Sequence, residues 1–79
     1  MINHDAMNEA IGQAIRKARK SKKITQQQLA DMVGISRTTI VGYELGDIEI
    51  SMLMFIRICE ALGVNYADVL QSVPVIEVR

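Results

Sequence analysis

The sequence predicts an all-α domain of five short helices, and three observations support this fold class. Apolar residues recur three and four positions apart in five separate segments, which is the spacing of one face of a helix. Four of these segments follow a residue that commonly caps a helix N-terminus, and three end at a glycine that suits a left-handed helix stop. The capping residues are Thr25, Ser36, Ser51 and Asn65, and the glycines are Gly34, Gly46 and Gly63.

The first two helices carry the clearest signals. The first is predicted to begin at Asp5 or Asn8 and to end at Ser21. Its buried stripe comprises Ile11, Ala14, Ile15 and Ala18. The second begins after Thr25, and Gln28 three positions later completes a capping-box pattern. Its apolar face comprises Leu29, Ala30 and Val33.

Three further helices and a tail complete the prediction. The third helix runs from Arg37 to Leu45, with Ile40 as its core residue. The fourth carries Met52, Phe55, Ile58, Cys59 and Leu62 on one face, although Met52 could instead lie at an interface. The fifth places Tyr66, Val69 and Leu70 on one face. Residues 73–79 are rich in β-branched side chains and predict a short extended tail, which Pro74 restricts to an edge position.

The 79 residues are enough for one domain, with a core over about residues 8–71 and a tail over 73–79. A single cysteine and a single histidine exclude an internal disulfide and argue against a Cys/His zinc site. We find no Gly-rich phosphate loop and no nucleophile with a paired base, so the sequence predicts neither an enzyme nor a cofactor. The absence of a signal peptide and of a long apolar run predicts a cytoplasmic location and no membrane partner.

The charge is unevenly distributed although the net charge is zero. Residues 1–40 carry a charge of +4 and residues 41–79 a charge of −4. The basic residues cluster near the end of the first helix, where they could face phosphates. They could equally do no more than complement the helix dipole there.

Residues 25–45 form the most informative unit, because two short helices are joined only by Gly34, Ile35 and Ser36. Such a helix-turn-helix pair packs at a steep angle, and its second helix can enter the major groove of double-stranded DNA. Four residues near the start of that helix are candidate base contacts: Ser36, Arg37, Thr38 and Thr39. The amides at the start of the second helix, with Gln26 and Gln27, can hold a phosphate.

Residues 26–36, with the sequence QQQLADMVGIS, closely resemble the helix-turn-helix of the Cro and phage-repressor family. The resemblance continues through Ile40, Tyr43, Glu44 and Gly46 and through residues 58–64, and it covers about residues 11–70. It implies a lambda-repressor-like domain of five helices that binds operator DNA, usually as a homodimer.

The same resemblance implies roles for individual residues. Gln26 corresponds to a contact to phosphate and base at the start of the second helix, and Tyr43 to a phosphate contact. Arg37, Thr38 and Thr39 correspond to base-reading positions, with Ser36 as cap and phosphate contact. Gly42 also falls at a base-facing position, one turn further on. Arg19 and Glu44 correspond to a structural ion pair between the first and third helices.

The sequence departs from the family pattern after Gly46, where Asp47 and Glu49 replace the usual phosphate-binding residues. Apolar side chains in this loop, in the next helix and in the tail are candidate interface residues. They are Ile48, Ile50, Leu53, Met54, Val75 and Ile76. An alternative is that some of them fold inward.

The sequence leaves two functions open. The first is a sequence-specific, dimeric repressor that reads operator half-sites in the major groove. The second is a protein-interaction module of the same fold, antitoxin-like or a partner of another regulator, with weak DNA binding. Its protein partner would bind the loop between the third and fourth helices or the C-terminal tail.

Overall fold

The computed structural model describes residues 3–74, and within that range it contains five α-helices and no strand. The helices are α1 (His4–Ser21), α2 (Gln26–Val33), α3 (Arg37–Leu45), α4 (Met52–Leu62) and α5 (Tyr66–Gln71). The predicted fold class and helix order are confirmed. Most of the predicted extended tail, including Val75 and Ile76, lies outside the described residues.

Side-chain caps determine where the helices begin. α1 starts earlier than predicted, because Asn3 Oδ1 accepts a hydrogen bond from the Ala6 amide at 3.0 Å. The capping box at α2 is formed as predicted. Thr25 Oγ1 accepts from the Gln28 amide at 3.0 Å, and Gln28 Oε1 accepts from the Thr25 amide at 2.8 Å.

One hydrophobic core joins the first four helices, and α5 packs against it through half-buried residues. α1 contributes Ile15 and α3 contributes Ile40. The larger contributions, from α2 and α4, are Leu29, Ala30, Val33, Phe55, Ile58, Cys59 and Leu62. These residues were all expected in the core. Met52 was expected on the same apolar face of α4, with an interface position as the alternative, and it is exposed at the N-terminus of α4 and not part of the core.

The packing of α1 on α3 is unusually close at Gly12. A Cβ atom placed there would overlap the Tyr43 carbonyl oxygen and lie 2.5 Å from the Glu44 carbonyl oxygen. Because glycine has no side chain, the backbone of α1 packs directly against the backbone of α3 at this position. This contact fixes the position of α3 in the domain.

Across residues 3–74, none of the helices is both long and apolar enough to cross a membrane.

Candidate nucleic-acid interface

The turn between α2 and α3 is defined by the backbone of Gly34. This residue has a φ of 82°, and the amides of Gly34 and Ile35 both donate to the Ala30 carbonyl, at 2.8 and 3.0 Å. Val33 before the turn and Ile40 after it are buried in the same core. The direction of α3 relative to α2 is therefore fixed by packing on both sides of the turn.

The polar side chains at the N-terminus of α3 form two groups. Ser36 Oγ accepts from the Thr39 amide at 3.2 Å and lies 2.9 Å from Thr39 Oγ1, so these two hydroxyls pair with each other. Arg37 and Thr38 are exposed. Of the predicted base-reading residues, Arg37 and Thr38 are thus the most accessible to a ligand.

A polar cleft of about 530 Å³ opens beside this helix end, between α1, α2 and α3. It is lined by Arg16, Arg19, Thr25, Gln26, Gln27 and Arg37. The structure thereby brings together residues that are up to 21 positions apart in the sequence. Two exposed guanidinium groups, those of Arg16 and Arg37, give the cleft positive charge suited to a phosphate.

Arg19 and Glu44 form the buried ion pair that the sequence resemblance implied. Arg19 Nε donates to Glu44 Oε2 at 2.7 Å, and Arg19 Nη2 donates to Glu44 Oε1 at 2.9 Å. The two residues are only 7% and 2% exposed. The hydrogen bond to Glu44 raises the pKa of Arg19, although burial opposes this effect. The guanidinium group of Arg19 is therefore occupied by the contact that joins α1 to α3.

Gly42 does not lie on an open face of α3, so its expected base-facing position is corrected. It is buried, and a Cβ atom there would overlap the Ile48 side chain, whose Cγ1 would be 2.6 Å away. The amides of Asp47 and Ile48 both donate to the Gly42 carbonyl, at 2.9 and 3.2 Å. The loop after α3 therefore folds back over this residue, and Ile48 explains the need for a glycine.

The expected apolar interface is partly corrected as well. Ile50 and Met54 are half-buried and pack against the core. Ile48, Met52 and Leu53 remain accessible, at 41%, 57% and 70% exposure, and we call these three residues the apolar patch. Tyr43 is half-buried against the core.

The profile of a helix-turn-helix family matches residues 15–69, which include α2, the turn and α3. The chain belongs to this family. This family is the Cro and phage-repressor type of helix-turn-helix, and its members are DNA-binding transcriptional regulators and not enzymes.

Relatives of the chain differ in their described roles. It is 37% identical over 59 residues to the antitoxin PezA of Streptococcus pneumoniae, a match that covers 75% of the chain and 37% of PezA. The chain therefore spans little more than a third of PezA. It is 43% identical over 54 residues to an HTH-type transcriptional regulator of Methanothermobacter thermautotrophicus, covering 68% of the chain and 78% of that protein.

A solved structure similar to this chain is that of the clp gene regulator ClgR from Corynebacterium glutamicum. The two share 34% identity with a TM-score of 0.82, over 85% of this chain and 87% of that one.

Two side-chain contacts in the structure give no signal in the sequence. Arg57 Nη2 on α4 donates to the Val33 carbonyl at 3.0 Å, where the C-terminus of α2 carries partial negative charge. Gln26 Nε2 donates to Glu44 Oε1 at 3.2 Å. Neither partner is close in sequence, so helical spacing gave no signal for either contact.

Proposed function

We propose that the chain is a sequence-specific repressor that acts as a homodimer on operator DNA in the cytoplasm. In this proposal the start of α3 enters the major groove, which at about 12 Å wide admits one helix. The observation that best supports this proposal is the exposure of Arg37 and Thr38 beside a positively charged cleft. Bound at a promoter, such a dimer would block transcription.

The contacts divide between bases and phosphates. Arg37 and Thr38 read base edges, and Thr39 reaches them through its methyl group, because its hydroxyl pairs with Ser36. Gln26, Gln27 and Ser36 bind phosphate, and Tyr43 contacts the backbone at the edge of the groove. Arg16, which also lines the cleft, adds a positive charge that attracts phosphate.

Replacing Arg37 with alanine is expected to weaken operator binding by about 1–3 kcal/mol and to relax the preference at one base position. The reason is that arginine can donate two hydrogen bonds to guanine O6 and N7. Fluorescence anisotropy on the operator and on single-base variants of it measures both effects.

Lys17→Ala is the matched control, because it removes the same charge from the groove between α1 and α5. Its loss of affinity should be small and equal for all the base variants. Equal affinity and equal base preference in Arg37→Ala and the parent would contradict the role given to Arg37.

The apolar patch supports the dimer, because its three exposed side chains lie between positions 48 and 53 of the sequence, and clustered exposed apolar side chains commonly mark an interface. Leu53→Glu is expected to convert the dimer to a monomer in light scattering at micromolar concentration, since the glutamate would be desolvated between subunits. Met32→Glu is the control, because Met32 is also exposed and apolar but lies on α2. A dimer that survives Leu53→Glu would place the interface elsewhere.

A second candidate function is an antitoxin-like module that binds a protein partner. The similarity to PezA favours it, as does the acidic loop of Asp47 and Glu49 beside the apolar patch. A parent chain that stays monomeric and binds no DNA sequence selectively would favour this function over the repressor.

A further inference from the structure

The three consecutive glutamines at the start of α2 have different hydrogen-bond partners. Gln28 accepts from the Thr25 amide within the capping box, and Gln27 Nε2 donates to Asp31 Oδ1 at 2.9 Å along the exposed face of the helix. Both of these contacts are local. Gln26 alone reaches another helix, because its Nε2 donates to Glu44 Oε1 at 3.2 Å, across a sequence separation of 18 residues.

The acceptor of that hydrogen bond is held in place from the other side. Glu44 Oε2 and Oε1 accept from Nε and Nη2 of Arg19, which forms a two-point contact that prevents the carboxylate from rotating. Arg19 is itself fixed, because its Nη1 donates to the Ile24 carbonyl at 2.8 Å. One buried carboxylate oxygen, Oε1, therefore receives a hydrogen bond from α1 and another from α2.

This arrangement leaves part of the Gln26 amide available. A primary amide nitrogen carries two hydrogens, and the carbonyl oxygen is a further acceptor. With one N–H bonded to Glu44, the second N–H and the oxygen remain for a ligand in the cleft that Gln26 lines with Arg16 and Arg37. The half-buried position of Gln26 restricts the other orientations that its side chain can take.

We infer that Glu44 is a positioning residue for DNA binding: its Arg19-clamped carboxylate holds the Gln26 amide in the orientation that meets a DNA phosphate. The inference rests on the proposed function and adds a second role to the ion pair. Besides joining α1 to α3, the pair prepares one contact of the interface before DNA arrives. A contact ordered in advance loses less conformational entropy when the complex forms.

A double-mutant cycle tests this inference, with affinity measured on the DNA duplex that the parent chain selects from a random pool. Gln26→Ala is expected to weaken binding about tenfold in the parent, which is the usual scale for a hydrogen bond to a charged group. In a background that carries Arg19→Met together with Glu44→Met, the same change should weaken binding less than twofold, because the amide has already lost its fixed orientation. A purely structural ion pair would leave the effect of Gln26→Ala tenfold in both backgrounds, and that result would overturn the inference.

The cycle also separates this inference from the function on which it rests. A parent chain with no sequence-specific affinity for DNA would overturn both, whereas specific binding with equal losses would overturn only the positioning role.

If the paired background does not fold, nuclear relaxation of side-chain amides in the parent decides. The Gln26 amide should be as rigid as the backbone of α2, whereas the amide of Gln13, which is exposed on α1, should be mobile. Equal mobility of the two amides would overturn the inference.

Discussion

Breaking the Arg19–Glu44 pair from one side is expected to cost about 3–5 kcal/mol of the free energy of unfolding. Arg19→Met would leave the Glu44 carboxylate buried with only the Gln26 amide as a partner. Small domains are stable by about 5–15 kcal/mol in total, so the variant should lose a large share of its stability. Urea denaturation followed by circular dichroism measures the loss.

The paired substitution Arg19→Met with Glu44→Met is the control for this prediction. Replacing both members of a buried ion pair with apolar residues of similar volume is often neutral or stabilising, because no charge remains to be desolvated. The double variant should therefore recover most of the stability. A double variant as unstable as Arg19→Met would mean that shape or other contacts, and not the unpaired charge, account for the loss.

Gly12→Ala is expected to destabilise the domain by about 1–3 kcal/mol, because the added methyl group would overlap the backbone of α3. Backbone carbonyls cannot turn aside as a flexible side chain can, so α1 and α3 would have to separate. The expected sign is opposite to the intrinsic preference, since alanine in place of glycine within a helix normally stabilises it by about 1 kcal/mol.

Thermal unfolding tests the Gly12 prediction, and a loss of this size should lower Tm by at least about 4 °C. Gln13→Ala is the matched control, because Gln13 is the exposed neighbour of Gly12 in the same helix. The Tm of this variant should change little. A Gly12→Ala variant at least as stable as the parent would contradict the close packing of α1 on α3.

These two predictions concern contacts between helices, where sequence reasoning succeeds unevenly. The capping box at Thr25 and the stop at Gly34 were predictable because they depend on residues only a few positions apart. The core residues Leu29 and Ile40 followed from helical spacing. The ion pair was expected only through the family resemblance, since 25 residues separate its members.

The errors arose where a loop decides which side of a helix is covered. Gly42 lies at a position that the resemblance turns toward DNA, but the loop after α3 places Ile48 over it. Met52 has the spacing of a core residue, yet it lies at the N-terminus of α4, where the core does not extend. Periodicity gives the face of a helix but not the extent of the surface packed against it.

Selection of bound sequences from a random pool of double-stranded DNA tests the proposed function most directly. We predict one enriched palindromic motif, with half-sites about 34 Å apart on one face of the duplex, as two recognition helices related by a two-fold axis require. Failure to enrich any motif would contradict sequence-specific binding, and an enriched motif without two-fold symmetry would contradict the dimer.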